Sequence, residues 1–206
     1  MELLFATGNE NKYNLMKRRL SCFEEINVLM PKQIGIKINV NEDGRTAEEN
    51  AIKKAKEYYL KTGMPVIAED SGLYVNKFKE CDQPGLFVRR VNGKEDLTDE
   101  EILNYYIKKL NEVGGESLAH YKTGVAVIDE SGNVYSTTIE EEPFLFISKK
   151  NSKISIQGGT LDSISYDMVN GKYFNELTKE EKEKRYKRID EKTIELIDKI
   201  IKTKHI

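Results

Sequence analysis

"FATGNENK", residues 5–12, decides how the chain begins to fold. The apolar run Leu3-Leu4-Phe5-Ala6 reads as a buried strand, Thr7-Gly8-Asn9 as a tight turn, and residues 11–20 as a helix. On that helix Leu15, Met16 and Leu20 share one face, with Lys17, Arg18 and Arg19 outward. A helix that starts directly after a turn leaves its first N–H groups without intrahelical partners. Such a corner suits an anion, phosphate above all, and Lys12 adds a positive charge beside it. Strand, glycine turn and helix is also the ordinary connection of α/β proteins. The stretch therefore fixes the fold class and leaves phosphate binding to be decided by the rest of the chain.

Working outward, "INVLMP" and "IKINV" read as two further short strands. "TAEENAIKKAKEYYLKTG" is the clearest helix. Thr46 is its N-cap and Glu49, three residues on, completes a capping box. Ala51, Ala55 and Tyr58 form the inner stripe, and Gly63 ends it. The same T-x-x-E start recurs at Thr98/Glu101 and Thr178/Glu181, the second opening a long C-terminal helical stretch with Ile194, Ile197 and Ile201 inward. "PVIAEDSGLYV" reads as two β-like runs around a charged corner. "LAHYKTGVAVI", "DESGN" and "VYSTTI" together signal a hairpin. Hairpins and crossovers occur side by side, so the expected fold is α/β with a mixed, elongated sheet flanked by helices. No repeat or low-complexity linker divides the chain, and residues 1–206 are read as one domain.

The bulk numbers exclude several classes. Lys plus Arg is 33 against 35 for Asp plus Glu, a net charge of −2, which exerts no global pull on nucleic acid or an anionic membrane. Apolar residues are 38% and charged residues 33%, a globular balance with a generously charged surface. No apolar run approaches the roughly 18 residues of a membrane-spanning helix, and the N-terminus lacks the pattern of a signal peptide. Cys22 and Cys81 fit neither a metal spacing nor a disulfide framework and read as free thiols of a reducing compartment. The cytoplasm is the expected location.

The carboxylates gather at "NEDG", 41–44, and at "EDSG", 69–72. Glu69-Asp70 follows the apolar run "VIA" and precedes Ser71-Gly72, so the pair is expected at a strand end. Adjacent carboxylates repel one another unless a cation shares them. Mg²⁺ takes oxygen ligands and commonly bridges protein carboxylates to substrate phosphates. Asp-Ser-Gly is equally ordinary turn chemistry. Glu49 has a structural role as capping-box partner, and Lys54 either reaches a phosphate or is solvated. Arg89 and Arg90 match an anion clamp in chemistry, or are surface arginines after a loop. "KEEKEKRYKR", 179–188, is a charge run in which Tyr186 has the chemistry to stack on a base and Lys187 or Arg188 to donate to its carbonyls. His120 and His205 have no neighbours in sequence that suggest a metal site.

Five of these segments, in this order, resemble the Ham1-like, inosine triphosphate pyrophosphatase family. "FATGNENK" is similar to its opening phosphate motif, (F/L)ATGN-x-x-K, and "EDGRTAEENAIKKA" to its acidic loop and helix. "AEDSGLYV" resembles its catalytic A-(D/E)-D-S-G-L-x-V signature, "QPGLFVRR" its PG segment ending in Arg, and "ELTKEEK" its pre-terminal helix motif. The resemblance implies two lobes with the nucleotide in a central cleft, a homodimer, and Mg²⁺-dependent hydrolysis of a nucleoside triphosphate to monophosphate plus pyrophosphate. Deaminated purine nucleotides such as ITP, dITP and XTP are the implied substrates. By position it implies that Thr7, Gly8, Asn9, Lys12 and Lys54 hold the triphosphate, and that Asp70 is the general base. Glu42, Glu69 and Asp70 would surround the metal, Ser71 would touch substrate, and Lys182 would be the helix lysine of the site.

The base-reading segments depart from the family pattern. In "DSISYDMV" Tyr166 and Asp167 match the G-F-G-Y-D-P loop, but Ile164 stands for the stacking Phe, Ser165 for the second Gly and Met168 for Pro. The Ser-His-Arg triplet falls on Tyr186-Lys187-Arg188, so Arg188 alone matches and Lys187 is left as the donor to a keto group. The expected activity is therefore the family's, with an altered base preference. The alternative is a non-catalytic nucleotide-binding protein of the same fold, from which the acidic cluster at Asp70 argues away.

Overall fold

A computed structural model of the chain describes residues 1–91, 93–94, 96–151 and 159–203. His205 lies outside them. The chain forms two compact units, one of residues 1–71, 123–139 and 188–206, the other of residues 72–122 and 140–187.

In the first unit, strand β1 (Glu2–Phe5) is followed by helix α1 (Glu10–Arg19), strand β2 (Asn27–Leu29) and helix α2 (Ala47–Thr62). Strand β3 (Val66–Val75) comes next and carries the chain into the second unit. β1 pairs in parallel with both β2 and β3, with Leu3 opposite Val28 and Leu4 opposite Val66. Leu3, Leu4 and Phe5 are all buried because a parallel strand is covered on both faces. Leu4, Ala51, Ala55, Val66, Ala68 and Ala126 lie in one core cluster. The small alanines of α2 let the helix approach the strands closely. At Gly124 the approach is closest, since a Cβ there would stand 2.2 Å from the Glu48 amide nitrogen.

The second unit contains helix α3 (Asp99–Glu112), most of strand β4 (Glu116–Ile128) before its return to the first unit, and strands β6 (Phe144–Ile147), β7 (Ser165–Asp167) and β8 (Lys172–Tyr173). Strand β5 (Val134–Glu140) precedes β6 and pairs with β4, the hairpin expected from sequence. β6 is antiparallel to β4 and β7, and β8 is antiparallel to β7. Parallel and antiparallel ladders occur together, so the sheet is mixed and the fold α/β. The core of this unit joins Leu73, Tyr106, Leu110, Phe144, Phe146, Ile164 and Phe174. Helices α4 (Lys179–Arg185) and α5 (Lys187–Thr203) close the chain.

Five local expectations are corrected. "VIAEDSGLYV" is a single strand, not two runs around a corner. β3 lies between β1 and β4 in the sheet, and Leu73 also exchanges both backbone hydrogen bonds with Gly85, at 2.9 and 3.0 Å; this pairing outweighs the turn preference of Asp-Ser-Gly. "IKINV" is not a strand; Ile36, Ile38 and Val40 pack on the first core from a loop. On α1 it is Arg19 that is buried and Leu15 that is exposed, because Arg19 meets carboxylates inside the unit. The C-terminal stretch is two helices meeting at Tyr186, and the buried stripe of α5 runs through Ile189, Thr193, Leu196, Ile197 and Ile200 rather than Ile194 and Ile201. Glu49 caps one residue early: Thr46 accepts from the Glu49 N–H, but the Glu49 carboxylate accepts from Arg45. At Thr98/Glu101 and Thr178/Glu181 both halves of the capping box form.

Candidate active site

The corner after β1 is built by side chains of the quoted stretch itself. Asn9 is the N-cap of α1, and its Oδ1 accepts from the N–H groups of Asn11 (2.9 Å) and Lys12 (3.2 Å). Thr7 Oγ1 accepts from the Asn9 N–H at 3.1 Å. Three donors of the corner are thus spent inside the chain. The N–H groups of Gly8 and Glu10 make no hydrogen bond among the described residues. Gly8 does not have the positive φ that would demand glycine, and a Cβ there would meet nothing within 4 Å. The chain itself gives no steric reason for glycine at this position. What remains is an open backbone edge with two spare donors, at the positive end of the α1 dipole and beside the exposed Lys12.

Asp70 and Glu42 are held by one face of α2. Asn50 Nδ2 donates to Asp70 Oδ2 at 2.9 Å, and Asn50 Oδ1 accepts from the Gly44 N–H at 2.7 Å. Lys54, one helical turn further, pairs with Glu42 at 2.6 Å and donates to the Glu69 carbonyl at 3.3 Å. A buried amide and a lysine therefore tie the 41–44 loop and the 69–70 segment to the same helix. The reading from sequence singled out Lys54 but missed Asn50. The signal lay in the i, i+4 spacing of the two, since a polar Asn on an inner helical stripe needs a partner.

Glu69 departs from the expected metal set. Successive side chains of a strand point to opposite faces, and that of Glu69 pairs with Arg19, the two side chains being only 6% and 10% exposed for Arg19 and Glu69. Arg19 Nε also donates to Asp190 Oδ1 (2.7 Å), and Arg18 Nη2 to Asp190 Oδ2 (3.0 Å). Burial pulls the Arg19 pKa down, but Glu69 and Asp190 outweigh it and leave the guanidinium more firmly charged than usual. Among the described residues no group of three or more Asp, Glu, His or Cys side chains is placed to hold a metal. The residues do not fit a cage of three carboxylates. They do fit the sparser mode of Mg²⁺, which uses one or two protein carboxylates and completes its shell with waters and substrate phosphates. Of the three expected ligands this leaves Glu42, paired with Lys54, and Asp70, which accepts from Asn50. Ser71 Oγ lies 2.7 Å from Thr123 Oγ1.

In the second unit the expected base-reading residues are placed unequally. Ile164 is fully buried in the core, so it offers no surface to a base. The Asp167 carboxylate, in a residue 2% exposed, accepts from the N–H groups of Val169 (2.9 Å) and Asn170 (2.8 Å) and from Arg185 at 3.1 Å. Burial pushes its pKa up, but these donors more than reverse that and hold it below the usual carboxylate range. Arg185 was not foreseen. It also donates to the Glu142 carbonyl at 2.7 Å and lies 4.3 Å over the Phe174 ring. Asp167 is therefore an internal anchor of the turn after β7 rather than a side chain free for substrate. Tyr166 packs edge-on against Tyr173 at 5.4 Å. Lys182 is the cation facing Asp162, whose pKa burial nevertheless raises. Lys187 and Arg188 are exposed at the start of α5, where the chain passes from the second unit to the first. Of the two readings of Arg89 and Arg90, surface arginines fit the structure: Arg89 donates to Thr160 and Asp99, and Arg90 lies over the Phe87 ring.

The model of the Ham1 family matches residues 3–190, nearly the whole described chain. The chain belongs to the Ham1 family. Its similarity to individual Ham1 proteins is of the same extent. It is 33% identical over 206 residues to a dITP/XTP pyrophosphatase of Leptospira interrogans, covering 98% of each chain. It is 32% identical over 192 residues to one of Thermoanaerobacter sp. strain X514, covering 92% of each. Among solved structures, the Ham1 protein of Staphylococcus aureus matches with a TM-score of 0.72 and 23% identity over 99% of this chain and all of that one. The HAM1 protein of Coxiella burnetii matches with a TM-score of 0.76 and 24% identity over 97% and 99%. Both carry the mixed α/β Ham1 fold described above.

Proposed function

We propose that this Ham1 protein is a nucleoside-triphosphate pyrophosphatase that hydrolyses (d)NTPs to the monophosphate and pyrophosphate, with deaminated purines such as dITP, ITP and XTP as substrates. The observation that supports this most directly is the pairing, within one unit, of a phosphate corner and an anchored carboxylate. Spare N–H groups and Lys12 stand at the start of α1, and Asp70 is held by Asn50 on α2. Cleaving a phosphoanhydride needs charge neutralisation, a positioned water and a base, and little covalent chemistry. The Gly8 and Glu10 N–H groups with Lys12 and Lys54 hold the triphosphate. Asp70, its Oδ2 fixed by Asn50, takes the proton of the attacking water through Oδ1. Glu42 and Asp70 would hold Mg²⁺, which would supply neutralising positive charge to the reaction. The Lys54–Glu42 pair opens as the triphosphate draws Lys54 toward itself. The protein works as a homodimer in the cytoplasm, and Lys187 favours a 6-keto over a 6-amino base.

The test is product identity. A panel of standard and deaminated NTPs and dNTPs is incubated with Mg²⁺ and with excess EDTA. Pyrophosphate as first product and loss of turnover in EDTA are expected, while orthophosphate first, or full activity in EDTA, overturns the reading. Asp70→Asn should lower kcat by about 10²- to 10⁴-fold with nucleotide binding kept. No turnover of any nucleotide by the folded protein, together with tight binding, would establish the non-catalytic alternative.

A further inference from the structure

We propose that Arg19 is a positioning residue for the hydrolysis, fixing the phosphate corner of α1 against the strand segment that carries Asp70. This rests on the reading of Asp70 and of the corner given above. Arg19 is the last residue of α1, whose first turn forms the corner, so the residue and the corner sit at opposite ends of one helix. Ten residues at about 1.5 Å each make that helix about 15 Å long. Its N-terminal half is tied to β2, where Tyr13 OH donates to the Val28 carbonyl at 3.1 Å. Its C-terminal end is tied to β3 through Arg19 and Glu69, the residue directly before Asp70. The Glu69 carbonyl in turn accepts from Lys54. One buried guanidinium thus reaches, through one residue of β3, both the proposed base and a proposed phosphate ligand.

The charges balance, with Arg18 and Arg19 against Glu69 and Asp190. Asp190 lies on α5 and accepts from Arg19 Nε, whereas Glu69 on β3 pairs with Nη1. A guanidinium can serve both carboxylates at once because its donors form a rigid planar fork, which an ammonium cannot reproduce. If the tie loosens, α1 rocks about its β2 contact and the corner shifts relative to Asp70. The two groups that must flank the scissile bond then lose alignment, and a misplacement of about 1 Å costs on the order of 10²-fold in rate. Substrate still binds, because the corner itself is built from Thr7, Asn9 and backbone donors.

The test compares Arg19→Lys, Glu69→Gln and Asp190→Asn, each assayed for pyrophosphate release below its own melting transition. All three should melt earlier than wild type. Arg19→Lys and Glu69→Gln should lower kcat by about 10- to 100-fold while KM and the Mg²⁺ requirement stay near wild type. Asp190→Asn leaves the Arg19–Glu69 tie in place and should keep most of kcat. A purely structural role is shown, and the proposal overturned, if kcat of the folded variants is unchanged or falls in step with melting temperature in all three. A raised Mg²⁺ requirement in Glu69→Gln would also overturn it, by making Glu69 a metal ligand. If Arg19→Lys does not fold, Glu69→Gln decides alone, since its amide is close in size to the carboxylate. Absence of pyrophosphate release from the wild type would refute the proposed activity instead, so the two failures are distinguishable.

Discussion

Replacing Gly8 by Ala separates what the corner needs for folding from what it needs for binding. Gly8 is not in the left-handed region, and a Cβ built there meets nothing within 4 Å. The folded state therefore loses nothing, while the unfolded chain loses freedom, so stability should rise by about 0.4–1 kcal/mol. For a chain of this size that is a gain of about 1–4 °C in melting temperature. The new methyl group stands where a phosphate would approach the Gly8 and Glu10 N–H groups. Losing one hydrogen bond to a charged group costs about 1.5–3 kcal/mol, so kcat/KM should fall by about 10- to 150-fold. Thermal melts followed by circular dichroism, and a coupled pyrophosphate assay, measure the two effects on the same sample. A variant more stable than wild type but much less active is the expected result. A lower melting temperature would mean that the chain itself requires glycine there. Unchanged kcat/KM would mean that no phosphate approaches this edge.

Gly124→Ala is the opposite case. Its Cβ would stand 2.2 Å from the Glu48 nitrogen, 1.2 Å inside the nearest ordinary contact of 3.4 Å (3.4 − 2.2), and the obstacle is backbone. Urea denaturation should show a loss of about 1–3 kcal/mol or more, and activity should fall as α2 carries Asn50 and Lys54 out of place; a loss below about 0.5 kcal/mol, the range of ordinary surface changes, would show that α2 shifts freely. Arg185→Met leaves the buried Asp167 carboxylate without its cation and should cost about 3–5 kcal/mol, read from the denaturation midpoint at neutral pH. Asp167 has a lower pKa folded than unfolded, so its contribution is complete above the unfolded value and is lost as pH falls through the folded one. Stability should therefore drop below about pH 4, and Asp167→Asn should flatten that part of the curve measured by denaturation against pH.

The sequence by itself determined the local devices and the chemistry of the corner. "FATGNENK" specified strand, turn and N-capped helix because Asn9 caps from within its own turn. The T-x-x-E starts at Thr98 and Thr178 closed as read, for the same reason: both partners lie within four residues. Asp70 and Glu42 were legible as an acidic constellation, but their supports were not. Only the tertiary structure placed Asn50 on Asp70 and gave Glu69 to Arg19, 50 residues away in the chain. An arginine on a short amphipathic helix reads as solvent-facing until the elements that would bury it are in place. Asp167 looked like a substrate contact until Arg185, 18 residues on, was seen to occupy it. Ile164 looked like a base contact until the core of its own unit enclosed it. Asp-Ser-Gly read as a turn because turn propensity is local, and it became strand because β1 and β4, distant in sequence, flank β3 in the sheet. A charged or polar side chain can be assigned to a ligand from sequence only when no distant residue claims it first. Such claims, made by burial and geometry between segments far apart in the chain, arise only when it folds.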